Sequence, residues 1–255
     1  MNTNRYKAFL CIFAGLFMAL SGISHGLAGD DDPTKGRKWL LALGGKLYDN
    51  MFLTLGISPP RGRNPLYPAG AAIPAADTWR CVACHGWDYR GREGHLKKVM
   101  NSPAFVSLRK MAGQPQKQIV AAMTRGKHAL YVRQLPPPML NALAFFISMG
   151  QHDITGLIDI KGRAKGDRLV GKDIYEGVCI SCHQADGKAF IEGEEGDVPA
   201  LGWVTSRRPE QALHKIRNGV PGADMLSLRF LTMEQVAGLL AYVQSLDPTP
   251  AEEAR

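Results

Sequence analysis

One five-residue pattern occurs twice in this chain and limits its fold more than any other feature. Each copy places two cysteines three positions apart, with a histidine directly after the second cysteine. The residues are Cys81, Cys84 and His85 in the first copy and Cys179, Cys182 and His183 in the second. Because residues three positions apart share one face of a helix, each pair of thiols can bond to a single group beside that turn.

The pattern C-x-x-C-H is the attachment signature of c-type haem. Its two thiols add to the two vinyl groups of one haem and form thioethers, and the histidine that follows lies beneath the iron as the proximal ligand. Two copies therefore predict two covalently attached c-type haems, with His85 and His183 as proximal ligands. Covalent attachment keeps such haems bound outside the cytoplasm.

Three other uses of these cysteines fit the sequence less well. One zinc ion held by all four would have to join two pairs that lie 98 residues apart, and each pair is followed by a histidine. Redox dithiols of the thioredoxin kind call for a βαβ pattern that the sequence lacks. Disulfides between cysteines so close along the chain are poor structural links.

The motifs and their surroundings resemble the class I cytochrome c superfamily, and specifically its tandem dihaem members. The resemblance covers residues 78–150 and 170–247. It implies an all-α fold with two tandem domains, each wrapped around one covalent haem. It also implies that the carbonyl groups of Pro103 and Pro199 accept hydrogen bonds from Nδ1 of the proximal histidines, which fixes the orientation and tautomer of each imidazole.

An internal repeat with a period near 98 residues supports two homologous domains. The alignment extends beyond the motifs, since Leu143 matches Leu240 and Gly126 matches Gly219. The predicted organisation is a signal peptide over residues 1–28, an irregular N-terminal extension over 29–77, a first cytochrome c domain over 78–150, a linker over 151–170, a second domain over 171–247 and a tail over 248–255.

Local patterns predict a helix at each end of the second domain. Lys172–Val178 leads into the second motif, and Thr232 with Gln235 forms a capping box that starts a helix with one apolar face. In the first domain, Pro136–Pro138 fit the first turn of the matching helix, where a missing N–H costs little. Within the extension, Lys38–Phe52 is a candidate helix.

The sixth iron ligand is predicted to differ between the domains. Met225 lies 15 residues before Leu240, in a loop that resembles the axial-methionine loop of the family. The same offset before Leu143 gives His128, so we predict that His85 and His128 bind the first haem and His183 and Met225 the second. Met139 stays open as the alternative sixth ligand of the first haem, and His95 is a more distant candidate.

This difference predicts a direction for electrons. Methionine ligation raises the potential of a haem relative to a second histidine, so the first haem is expected to have the lower potential. The favoured function is therefore electron transfer between redox partners in the periplasm, from the first haem to the second. The alternatives are a dihaem periplasmic oxidoreductase and the cytochrome subunit of a dehydrogenase complex.

The N-terminus and the charge predict location and partners. Arg5 and Lys7, an apolar run over residues 8–20 and the small residues up to Ala28 indicate a cleaved secretory signal; membrane anchoring follows only if this segment is not cleaved. The net charge is +8, and we expect redox partners with acidic docking faces, and no nucleic acid. The basic clusters are Arg61, Arg63, Arg90, Arg92, Lys97, Lys98, Arg109 and Lys110.

Overall fold

The described part of the chain is helical. The structure is a computed structural model, and it describes residues 33–70, 73–98, 105–189 and 199–248. Within these ranges no β-strand forms, which confirms the all-α class. No helix in them is long and apolar enough to cross a membrane. The predicted signal peptide, Pro103 and all but the first residue of the predicted tail lie outside the described residues.

Ten α-helices form within the described ranges. They are α1 (Pro33–Leu55), α2 (Cys81–His85), α3 (Gln116–Thr124), α4 (Ala129–Val132), α5 (Pro137–Met149), α6 (Arg168–Ile174), α7 (Ile180–His183), α8 (Leu201–Arg207), α9 (Pro209–Asn218) and α10 (Met233–Val243). A π-helical turn over Tyr175–Cys179 carries α6 directly into the second motif.

The helix starts follow the local sequence signals. Thr232 and Gln235 form the predicted capping box at the start of α10, with both reciprocal hydrogen bonds present. Pro136 is the N-cap of α5, and the next prolines occupy its first turn. Because these signals act within one turn of helix, they were readable without tertiary information.

Two pairs of helices cross closely, one pair in residues 33–150 and one pair in residues 151–248. In the second, α6 crosses α10 so closely that a Cβ on Gly171 would overlap the Gly238 backbone. In the first, α1 lies against α5, where a Cβ on Gly44 would overlap the Ala142 carbonyl oxygen. Because glycine has no side chain, both close approaches are possible. Helix α1 therefore lies against α5 as α6 lies against α10.

The irregular N-terminal extension expected over residues 29–77 is therefore corrected in part. Its portion Pro33–Leu55 is helical and contributes to the core. The helix breaks at Asn50, where the backbone leaves helical angles, and the Asn50 side chain accepts hydrogen bonds from the N–H groups of Phe52 and Leu53, each at 3.1 Å. Much of residues 56–75 is non-helical, as expected for a segment rich in Pro, Ala and Gly.

Two apolar clusters form the interior. The first combines α1, α3 and α5 with the first motif, and the second combines α6, α9 and α10. We call residues 33–150 the first half and residues 151–248 the second half. The described residues from Thr34 onward nevertheless group as one unit. The segment expected to be a linker is packed, because Ile154 and Leu157 are buried in the second cluster.

Gly171→Ala should destabilise the protein because its new methyl group meets the backbone of α10. Overpacking of this kind costs about 1–3 kcal/mol, measured as the free energy of unfolding in urea. Gly36→Ala is the matched control, since Gly36 is also helical and has no atom within 4 Å of the added carbon. That variant should be unchanged or slightly more stable. Equal stability of the two variants would contradict the close crossing.

Candidate haem sites

The first motif is a short helix fixed at both ends by α1. Arg80, the N-cap of α2, donates from Nε to the Asp49 carbonyl at 2.8 Å. After His85 the chain turns at Gly86, whose carbonyl accepts a hydrogen bond from the Tyr48 hydroxyl at 2.6 Å. Since Asp49 and Tyr48 are neighbours on α1, that helix sets the position of the whole motif.

His85 has the environment of a neutral metal-binding imidazole. Its ring is buried, and Nδ1 lies 2.8 Å from the carbonyl oxygen of Val106. Burial lowers the pKa of His85 to about 4, so the imidazole is neutral. Because the Val106 carbonyl can only accept, Nδ1–H donates a hydrogen bond to it, and the lone pair of Nε2 stays free for a metal. The expectation that Pro103 supplies this carbonyl is wrong, because the acceptor is three residues further on.

His128 lies opposite His85. It ends a 3₁₀ turn, Gly126–His128, between α3 and α4, and burial lowers its pKa as well. The two ring centroids are 6.0 Å apart, with ring planes inclined by 29°. Two neutral imidazoles this close together, beside a pair of free thiols, are a donor set that fits a haem iron. Met139 instead packs on the first apolar cluster from the first turn of α5.

The four cysteines of the two motifs, which are the cysteines in the described ranges, are thiols with no disulfide partner there. All four are free, and burial raises the pKa of Cys81 to about 12 and those of Cys84 and Cys179 to about 11. Among the residues described, no three His, Cys, Asp or Glu side chains group closely enough to hold a metal ion. Both thiol pairs are therefore available for thioethers.

The second motif is more open than the first. Cys182 is exposed and His183, the last residue of α7, is half-buried. Burial lowers the pKa of His183, which favours the neutral imidazole that a metal requires. Met225 is half-buried in the loop between α9 and α10, so the sixth-ligand candidates of both halves follow corresponding helices, α3 and α9.

The basic clusters do not form one uniform surface. Arg63 donates to the Ile73 carbonyl and Arg109 to the His152 carbonyl, so both side chains are engaged in hydrogen bonds to the backbone. The exposed members are Arg61, Arg90, Arg92, Lys97 and Lys110. The docking hypothesis therefore rests on the exposed members.

No pattern in the sequence predicts the buried polar contacts that join the two halves. We call these contacts the seam. His214 on α9 is fully buried. Its Nε2–H donates to the Gly45 carbonyl at 3.0 Å, and its Nδ1 accepts from the Tyr89 hydroxyl at 2.9 Å. Burial lowers the pKa of His214 to about 4, so this imidazole is neutral.

A buried ion cluster is the second part of the seam. Asp49 on α1 is fully buried and pairs with Arg80 at 2.6 Å and with Lys215 on α9. Burial alone would raise the pKa of Asp49, but the charges of Lys215 and Arg80 outweigh it and hold that pKa below its usual value. One carboxylate thus joins α1, the residue before Cys81, and the second half.

These features define helical domains built around C-x-x-C-H motifs, and a family comparison agrees for the second half. Residues 167–243 match the family model described as cytochrome c oxidase, cbb3-type, subunit III. The match runs from the N-cap of α6 to the last residue of α10. It supports a class I cytochrome c domain, which implies a covalent c-type haem, electron transfer and redox partners. The searches of curated proteins and of solved structures gave no match.

Asp49→Asn should strongly destabilise the protein. It leaves the buried cations of Arg80 and Lys215 without their carboxylate, a change that costs about 3–5 kcal/mol in buried pairs. The control is Asp159→Asn, which breaks an ion pair with the largely exposed Arg163 and should leave stability unchanged. Urea unfolding measures both, and a small effect at Asp49 would show that the cluster is not buried in solution.

Stability should fall as the pH drops from about 6.5 toward 4. The pKa of His214 is about 4 in the folded state and near 6.5 in the unfolded state. Its contribution to the free energy of unfolding is therefore complete above pH 6.5 and is lost at lower pH, because the unfolded state takes up the proton first. His214→Gln should flatten this dependence. His95→Gln should not flatten the dependence, because Asp88 raises the pKa of His95 whereas burial lowers that of His214. Identical pH profiles for wild type and His214→Gln would contradict the assignment.

Proposed function

We propose that this chain is a periplasmic dihaem c-type cytochrome that transfers electrons between redox partners. The observation that carries the proposal is the facing pair of imidazoles, His85 in its motif helix and His128 across from it at 6.0 Å. The thioethers form at Cys81, Cys84, Cys179 and Cys182, and the iron ligands are His85 and His128 in the first half and His183 and Met225 in the second.

The bound haem supplies reversible one-electron chemistry at its iron. The chain provides the ligands and their surroundings. The Val106 carbonyl holds the proton of His85 on Nδ1, which keeps Nε2 unprotonated and strengthens it as a donor. His128 would supply the second protein ligand of that iron, which would leave no coordination position for a substrate. This filled coordination favours a carrier over an oxidoreductase.

The different sixth ligands give the transfer its direction. A thioether stabilises reduced iron more than an imidazole does, so the Met225 site has the higher potential and the His128 site the lower one. Electrons then pass from the first half to the second. The seam supports this role, because buried contacts at Asp49 and His214 keep the two motifs at one separation.

The partners are redox proteins with acidic docking faces. The exposed basic residues Arg90, Arg92 and Lys97 lie within a short stretch after the first motif, and such a charge distribution speeds encounter with acidic partners. Localisation in the periplasm rests on the predicted signal segment and on the family match, since domains of this family are typically extracytoplasmic.

A second candidate is a cytochrome subunit of a larger enzyme complex. It is favoured by the family description, which names a subunit of an oxidase. Native extraction followed by size separation distinguishes the two functions. A carrier elutes alone, and a subunit elutes with its complex.

His128→Ala tests the ligand assignment in a spectroelectrochemical titration of the holoprotein. We expect two separated potentials in the wild type, with only the lower wave altered in this variant because its iron loses an imidazole. Met225→Ala should alter only the higher wave. His95→Ala, a histidine paired with Asp88, is the control.

A single high potential for both haems that is unchanged in His128→Ala would contradict the assignment. Met139 would then replace His128 as the candidate, and the two halves would be symmetric carriers.

A further inference from the structure

The loop that carries Met225 is closed at its base by contacts between its two ends. The Leu228 N–H donates to the Ile216 carbonyl at 2.9 Å, and the Ser227 hydroxyl donates to the Arg217 carbonyl at 2.7 Å. Gly219 has φ +81°, and a Cβ there would overlap the Met225 carbonyl oxygen. Only glycine permits both the backbone angle and the close approach, so the base has little freedom.

Arg229 extends this base to the first half. Its side chain is buried, with Nε and Nη2 donating to the Asn218 side-chain oxygen at 3.1 and 2.6 Å. Nη2 also lies 3.3 Å from the carbonyl of Gly150, the C-cap of α5, and the guanidinium carbon lies 5.8 Å from the centre of the Phe146 ring. One side chain thus joins the end of α9, the Met225 loop and the end of α5.

This cation is buried away from carboxylates. Within the described ranges, the ion pairs include no carboxylate partner for Arg229. Burial and the nearby charge of Arg217 lower the pKa of Arg229 to about 10. A buried charge without a carboxylate is costly, and an apolar side chain would avoid that cost. What the guanidinium adds is a planar set of donors that fixes three elements in one geometry.

We propose that Arg229 is a positioning residue that holds Met225 against the second iron by anchoring its loop to the first half. The inference rests on the proposed role of Met225. Arg229 lies four residues after Met225 on the same loop. Anchored to α5, it keeps that loop from moving away, so the first half controls how firmly the second iron keeps its sixth ligand.

Added imidazole tests the proposal, because it competes with a thioether for ferric iron in the intact holoprotein. Arg229→Lys keeps the positive charge but cannot make the three bonds of the guanidinium. We expect imidazole to bind this variant about tenfold more tightly, since the lost hydrogen bonds of a charged group are worth at least a factor of ten. Arg163→Lys, an exposed arginine of the same half, should bind imidazole as the wild type does.

The outcomes separate this inference from the proposed function. If the wild type lacks the absorption band of a ferric iron–thioether bond, or if Met225→Ala keeps that band, the ligand assignment fails and the inference fails with it. If the band depends on Met225 but Arg229→Lys binds imidazole like the wild type, the inference alone is overturned.

A measurement on the wild type decides the question if Arg229→Lys does not fold. The iron–thioether band and the near-ultraviolet circular dichroism of the aromatic side chains buried at the seam are followed together as the urea concentration is raised. We expect both signals to disappear in one transition, because the loop is anchored to the first half. Loss of the band at a clearly lower urea concentration would overturn the inference.

Discussion

The carboxylate of Asp49 is the interaction on which the arrangement of the two halves depends. A charged group leaves water at a high cost unless partners meet it inside. Here the partners come from Arg80, beside the first motif, and from Lys215 on α9. None of the three can be buried favourably alone, so α1, the motif and α9 must assemble together. This requirement explains why two halves with separate apolar clusters form one unit.

Within this joined unit, the two candidate haem sites differ in how far the protein encloses them. The first motif is enclosed, with His85 buried and its Nδ1 engaged, whereas the second has an exposed Cys182 and a half-buried His183. Electron exchange with another protein requires close approach, which an open site allows more readily. The open second site is therefore the more accessible of the two to another protein.

How far the sequence could predict this structure depends on the range of each interaction. The capping box at Thr232 and the prolines that start α5 are local signals, and they predicted their helix starts correctly. The role of α1 was missed, because residues 56–80 separate it from the motif that it supports. The contacts of Asp49 with Lys215 and of His214 with Gly45 join distant positions, and no periodicity or spacing encodes them.

The inserted residues 56–80 also explain why the first site is the more enclosed one. The Trp79 indole N–H donates to the Gly62 carbonyl at 2.8 Å, which folds the segment back on itself. The Tyr67 ring then packs on Phe105 with centroids 5.3 Å apart, and Phe105 directly precedes the Val106 carbonyl that holds His85. In the second half α6 runs straight into its motif. The insertion therefore supports the hydrogen-bond acceptor of His85, and the two C-x-x-C-H motifs acquire different surroundings.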